Sequence, residues 1–209
     1  MSVYPSGALS DWAQMGCEKG LSSIIMAGSP ARIGFKGSNR QLLGTNPICI
    51  GVPGKPFHFI SDTATSEITH GALMLAQQNN SSLKEGAAVN GDGEIELDPN
   101  KVNPAKGEGA LLTVGASHKT FALSMAIELL TSLAGGIPGS KKVTEHGVFG
   151  IFFKADVHNG ISETLKIWNE SSVKIPGWNS QAIFKENHEN NVVKIDNKTY
   201  EKILTLLEE

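Results

Sequence analysis

ICIGVPGKPFHFIS, residues 48–61, sets two short apolar runs, Ile48 to Val52 and Phe57 to Ser61, on either side of Pro53-Gly54-Lys55-Pro56. Proline presets one backbone angle for a turn and glycine admits angles that other residues avoid, so the stretch predicts two strands joined by a tight reversal. A hairpin pairs its strands antiparallel. Toward the N-terminus, Ser22 to Met26 is a further strand candidate, separated from the hairpin by a loop rich in Gly, Ser and Pro from Gly28 to Asn39. Before it, Leu9, Trp12, Ala13 and Gly16 recur at helical spacing between Ser6, a candidate N-cap, and Gly20, a stop.

In the other direction, Ser66 to Gln78 predicts a helix with Ile68, Ala72, Leu75 and Ala76 on one face, preceded by hydroxyl residues able to cap it. Asn79 to Pro104 is polar and turn-rich, which predicts a surface excursion. From Lys119 to Leu133 apolar residues surround nearly the whole helical circumference and Gly135-Gly136 closes the run, which predicts a central helix buried on most sides. Val148 to Val157 predicts a strand, and Ile161, Leu165 and Trp168 a helical stripe. A Pro176-Gly177 turn follows, then a short strand around Val192 to Ile195 and a last helix carrying Tyr200, Ile203, Leu204 and Leu207 on one side. Strands that alternate with helices yet include a hairpin predict an α+β fold, a mixed sheet covered by helices. No internal repeat or linker divides the chain, so residues 1–209 read as a single domain.

Composition excludes several classes. A net charge of −3 without a Lys/Arg block argues against a nucleic-acid partner. Cys17 and Cys49 lie far apart and outside any CxxC pattern, which argues against a zinc site or a redox pair and fits a reducing cytoplasm. The most apolar run, Phe121 to Ile137, is broken by Ser124, Glu128, Thr131 and Ser132, and no charged-then-apolar leader opens the chain, so neither a membrane span nor secretion is expected. The six histidines never fall at a metal-ligand spacing, and Asn90-Gly91-Asp92-Gly93-Glu94 lacks the glycine and the closing Glu of a calcium loop, so no metal is assigned.

Two segments carry candidate chemistry. Asp62-Thr63-Ala64-Thr65-Ser66 places a carboxylate and three hydroxyls between a strand and a helix start, where unpaired N–H groups attract phosphate and an Asp can hold ribose hydroxyls. The alternative is that Thr65 or Ser66 simply caps the helix. Gly115-Ala116-Ser117-His118-Lys119-Thr120 delivers a cation and hydroxyls to the start of the next long helix. It is not a P-loop, because His118 stands where that motif needs a glycine beside the lysine. Lys119 is either a partner for a bound anion or a solvated surface lysine.

Leu43-Gly44-Thr45-Asn46-Pro47, Asp62 to Ser66, Gly115 to Lys119 and Val173-Lys174-Ile175-Pro176-Gly177 stand in the order of the L-G-T-N-P, D-x-A-T-S, G-x-x-K-G and v-r-i-P-G-E segments of the malate/L-lactate dehydrogenase-like family, which the chain resembles over most of residues 6 to 207. Glu18-Lys19-Gly20-Leu21 is similar to that family's E-K-G-L. The resemblance implies a mainly antiparallel sheet wrapped by helices, not a Rossmann fold, in a homodimer that reduces 2-oxo acids or cyclic imino acids with NAD or NADP. It implies that Asp62, Thr63, Ala64, Thr65 and Ser66 line the cofactor, that His118 and Lys119 meet it, that Gly177, Trp178 and Asn179 close over it, and that Thr45 and Asn46 face the small 2-oxo acid.

The departures from the family pattern bear on chemistry. Family members carry a longer N-terminal portion with a Ser-His-Gly motif whose histidine protonates the substrate oxygen, and nothing in this sequence corresponds to it. The histidine of a second family motif, Asn-His-x-Gly, falls on Pro5, the glycine after the lysine on Thr120, and the glutamate of P-G-E on Trp178. Loss of a positioned acid costs roughly 10²–10⁴-fold in rate. His118 is not taken as a substitute for that acid, so no catalytic residue is assigned. Three readings follow: a 2-oxo acid oxidoreductase of impaired competence, a non-catalytic cofactor-binding or interaction module that pairs with a fuller homologue, or a fragment of a split gene. In each, uncovered apolar surface favours oligomers.

Overall fold

A computed structural model describes residues 7–154, 159–193, 195 and 197–207. The proposed cap Ser6, the position Pro5, residues 155–157 of the strand expected up to Val157, and Lys194 inside the strand expected at Val192 to Ile195 all lie outside the described residues.

The hairpin read from residues 48–61 forms, with its second strand two residues later than expected. β1 (Leu21–Ala27) lies between β2 (Ile48–Val52) and β6 (Val148–Lys154), and β2 pairs in turn with β3 (Phe59–Thr63). The four strands run in the order β3-β2-β1-β6 and every pairing is antiparallel, with Ile24 opposite Ile50 and Ile151, and Cys49 opposite Asp62. A second, two-stranded ladder joins β4 (Ala88–Val89) to β5 (Ala110–Leu111).

One face of the large sheet is covered by α1 (Leu9–Glu18), whose Leu9, Ala13 and Cys17 recur every four residues. Leu9 and Ala13 pack with Ile25, Cys49 and Ile60. Gly51 permits the close approach, since a Cβ there would sit 2.8 Å from Ser23 Oγ and 3.0 Å from Ala13 Cβ. Full burial of a Leu or Ile in such a layer contributes about 1.5–3 kcal/mol. The second core joins Ile33, Leu43, Leu73, Leu83, Ala88, Val102 and Leu111.

That second core corrects one expectation. The segment from Asn79 to Pro104 is no surface excursion, because Leu83, Ala87, Ala88, Val89 and Val102 in it are buried. Two-residue strands set among turns leave no periodic signal in the sequence. α2 (His70–Asn79) starts four residues later than expected, with the Thr69 hydroxyl accepting from Ala72 N at 3.0 Å. Neither Thr65 nor Ser66 caps it, because Thr65 N–H donates to Thr45 O and Ser66 bridges to Thr113, which keeps the chain extended.

α3 (His118–Ser132) corrects a second. It buries Ser124, Ile127, Glu128 and Thr131 while Leu123, Met125, Leu129 and Leu133 remain exposed. An all-round apolar pattern does not say which side faces inward; here the hydrogen bonds of the polar side decide. After β6 come α4 (Asn159–Glu170), α5 (Trp178–Asn190), which the sequence reading passed over, and α6 (Asn197–Leu207). Among Val192, Val193 and Ile195 no strand forms. No described helix is long and apolar enough to cross a membrane.

Candidate active site

The site is built around Leu43-Gly44-Thr45-Asn46, the loop entering β2. Gly44 has no room for a side chain: a Cβ would fall 2.1 Å from Ser29 O. Asn46 adopts φ +35° and is fully buried. Its amide donates to Glu128 Oε2 at 2.6 Å and to Ser124 O at 3.1 Å, which draws the loop onto the polar side of α3. Glu128 also accepts from Gly44 N at 3.3 Å and, through Oε1, from Gly139 N at 2.8 Å. Ser29 Oγ accepts from Thr45 N at 2.8 Å and lies 3.1 Å from Thr45 Oγ1.

From Thr45 the expected segments follow one another by direct contact. Thr45 O accepts both the backbone N–H and the hydroxyl of Thr65, at 2.9 and 3.0 Å. Thr65 O in turn accepts Val114 N at 3.0 Å, and Glu67 N donates to Leu112 O at 2.9 Å, so residues 65–67 run antiparallel to residues 112–114, which lead into Gly115–Lys119. Glu67 fastens the turn, accepting from Gly115 N at 2.9 Å and from Lys84 Nζ. Those two donors hold its carboxyl below the usual range, the lysine contributing more. The chain then reverses through Gly115 and Ala116, both at positive φ, into α3, where Ser117 Oγ accepts from Lys119 N at 3.2 Å. His118 and Lys119 are exposed in the first turn of that helix.

The third segment meets the far side of the sheet. Ile60 N in β3 donates to Pro176 O at 3.2 Å, and Gly177, at φ +84°, fits because a Cβ would lie 2.9 Å from Ile60 Cβ. The Gln181 side chain accepts from His58 N and donates to His58 O, pinning α5 to the start of β3. Trp178 stands edge-on to Phe57 with ring centroids 6.1 Å apart, and its Nε1 is buried without a protein partner. An open cleft of about 910 Å³ adjoins it, lined by Lys55, Pro56, Ser162, Glu163 and Lys166 among others. Asn179 is exposed beside it.

Asp62 and Thr63 are placed differently from their expected position. They are the last two residues of β3, not a turn before a helix, and Asp62 Oδ2 accepts from Ser10 N at 2.8 Å, in the first turn of α1. Asp62 therefore lies at a helix N-terminus, but that of α1. Ala64 follows at the strand end, and Ser66 is buried with its Oγ unpartnered.

Several residues escaped the sequence reading. Glu128 registered only as a break in an apolar run; its burial inside a network could have been suspected from a charged residue on a helix otherwise apolar. Arg32, His70 and His146 gave no signal. Burial lowers the proton affinity of all three, and the Arg32 charge adds to the effect on His70. Both cysteines are free and buried, with burial pushing the Cys17 thiol up to about 11 and the Cys49 thiol to about 12, so neither is a nucleophile at neutral pH. Among the described residues no three His, Cys, Asp or Glu side chains gather as metal ligands.

Comparison with known proteins places the chain. The family model described as malate/L-lactate dehydrogenase matches residues 3–204. Malate dehydrogenase of Pyrococcus horikoshii is 33% identical over 138 residues, covering 63% of this chain and 38% of that protein. L-sulfolactate dehydrogenase of Methanocaldococcus jannaschii is 37% identical over 112 residues, covering 54% and 31%. Among solved structures, Δ1-piperideine-2-carboxylate reductase of Pseudomonas syringae superposes with a TM-score of 0.82 at 27% identity, over 95% of this chain and 64% of that one. The chain thus spans a little over a third or less of these curated relatives in sequence, and just under two thirds of the solved chain in structure.

Proposed function

Because the chain belongs to the malate/L-lactate dehydrogenase family, we propose that it forms, as one domain over residues 1–209, the nicotinamide-binding part of an NAD- or NADP-dependent oxidoreductase acting on a small 2-oxo acid. The observation that carries this reading is the hydrogen-bonded path from Thr45 through Thr65 to Val114, which joins two of the four family segments and ends at the residue before a third. The antiparallel sheet and the absence of a strand-borne GxGxxG support a non-Rossmann cofactor site.

The residues suit such a cofactor. Ser66 Oγ and Trp178 Nε1 are buried polar atoms without protein partners, and buried polar groups as a rule have them. Lys119 in the first turn of α3 opposes the helix dipole, a cost that a phosphate beside it removes. In this reading Asp62 to Ser66 with His118 and Lys119 hold the pyrophosphate and ribose, while Gly177, Trp178 and Asn179 bound the cofactor from the β3 side. Thr45 and Asn46 position the reacting end of the acid. A bound reduced nicotinamide supplies the hydride. The chain's own contribution is orientation: Glu128 and Ser29 fix the Thr45-Asn46 loop, and Glu67 fixes the turn before Lys119. We place the protein in the cytoplasm as a homo-oligomer, in keeping with the exposed Leu129, Leu133, Ile151 and Phe152.

A second reading, a cofactor-binding or interaction module without catalysis, is favoured by Pro5, which stands where the family motif has histidine and cannot transfer a proton. Spectrophotometric assay of NADH and NADPH oxidation with pyruvate, oxaloacetate and other 2-oxo acids separates the two. Turnover that Lys119→Ala abolishes supports the oxidoreductase. Binding of cofactor with no turnover supports the module.

A further inference from the structure

β6 (Val148–Lys154) is an edge strand without the usual protection. β1 pairs with all seven of its residues on one side, and among the described residues no backbone bond reaches its other side. Such an edge holds a row of free N–H and C=O groups, which folded proteins blunt with charge, proline, a bulge or a covering segment. Val148-Phe149-Gly150-Ile151-Phe152-Phe153 contains no charge and no proline, its register with β1 runs unbroken, and Lys154 stands only at the end. Nor is the strand covered: Val148, Ile151, Phe152 and Phe153 are 37, 47, 45 and 45% exposed.

Both faces of the strand take part. Phe152 lies on the α1 side, since a Cβ on Gly16 would sit 3.0 Å from its ring. Ile151 lies on the other side, in one row with Ile24 and Ile50, and Ile50 is itself 38% exposed. A strand with one solvated face alternates apolar and polar residues. β6 does not, and so has the composition of a strand with neighbours on both edges.

We propose that β6 pairs antiparallel with β6 of a second copy of this chain, joining the two four-stranded sheets into one of eight strands. A two-fold axis normal to the sheet makes the contact self-complementary. Residues opposed across an antiparallel pair share a face, so even numbers meet even and odd meet odd, and the register that opposes all seven residues sets Ile151 against itself. Phe152 then stands opposite Gly150, whose missing side chain leaves room for the ring, and Phe153 stands opposite Phe149 as an aromatic cross-strand pair. Lys154 falls opposite Val148, so the two lysines sit at opposite ends of the ladder, about 20 Å apart, and do not repel.

The area matches such a contact. Val148, Ile151, Phe152 and Phe153, with Leu129 and Leu133 on the neighbouring α3, leave about 600 Å² of apolar surface per copy, about 1,200 Å² for the pair, where specific interfaces begin. The proposal rests on the homo-oligomer placed above and names its surface; it is independent of the cofactor.

The test is analytical ultracentrifugation of the whole chain without cofactor over a range of concentrations. Ile151→Lys sets two like charges face to face at the axis, and Phe184→Lys, on the exposed side of α5, is the control. The expected result is a dimer at micromolar concentration whose Kd rises about a hundredfold or more in Ile151→Lys and is unchanged in Phe184→Lys. A chain that stays monomeric overturns the proposal and the homo-oligomer together. An oligomer indifferent to Ile151→Lys, or weakened equally by both substitutions, overturns the proposal alone. If Ile151→Lys does not fold, Ile151→Cys replaces it, because opposed Cα atoms of an antiparallel pair lie about 4.5–5.5 Å apart, within reach of a disulfide. Mild oxidation is expected to link two Ile151→Cys copies and not two Phe184→Cys copies; no link, or equal linkage of both, contradicts the pairing.

Discussion

Asp62 Oδ2 accepts the backbone N–H of Ser10 at 2.8 Å, so the acid at the end of β3 satisfies one of the free donors that open α1. The N-cap residue of that helix, Ala8, offers no side-chain bond of its own. Replacing Asp62 by Ala is expected to lower stability by about 1 kcal/mol, the usual worth of a capping contact, read as a fall in the urea midpoint at unchanged slope. A variant as stable as the parent would show that the contact is dispensable.

Glu128 is the anchor of the Thr45-Asn46 loop. Glu128→Ala leaves Gly139 N without its acceptor and Asn46 Nδ2 with Ser124 alone, and a loss of about 3 kcal/mol is expected. Glu128→Gln keeps one carbonyl acceptor and is expected to lose roughly half as much. Denaturant unfolding of the two variants measures the difference; equal and small losses would contradict the network's importance.

Gly44 tolerates no side chain. With a Cβ 2.1 Å from Ser29 O, Gly44→Ala is expected to cost about 3 kcal/mol or more through displacement of the loop. Gly91→Ala, which meets nothing within 4 Å, is expected to be neutral within about 0.5 kcal/mol. Paired melting curves decide the matter.

Acid lowers stability in two separate windows. His70 and His146 have folded proton affinities lowered by burial from the ordinary 6.5, so the stability of their neutral forms is complete above that value and is lost as pH falls below it, where the unfolded chain takes up protons first. Glu67, lowered from 4.5 by Lys84, loses its contribution only further down. Stability measured from pH 7.5 downward is expected to begin its decline below the ordinary 6.5, and His146→Gln is expected to flatten that first step. A profile flat to pH 5 would contradict it.

The hairpin was legible because Pro53-Gly54-Lys55-Pro56 punctuates two β-prone runs, and α1 because its apolar residues recur at one spacing. The buried role of Ala88, Val89 and Val102 was not, since two-residue strands carry no period. The start of α2 was misplaced because Thr65 and Ser66 offer caps as good as Thr69, and only the bonds of Thr65 to Thr45 and of Ser66 to Thr113 exclude them. Segment order singled out the Leu43–Pro47 and Asp62–Ser66 loops, which the bonds between Thr45 and Thr65 join.

Titration of the purified chain with NADH and NADPH, followed by cofactor fluorescence, tests the central claim most directly, with Lys119→Ala and Ser66→Ala as controls. The account predicts saturable binding in the micromolar range, weakened about tenfold or more by Lys119→Ala through loss of a phosphate contact. Absence of binding at millimolar cofactor, or binding indifferent to both substitutions, would contradict it.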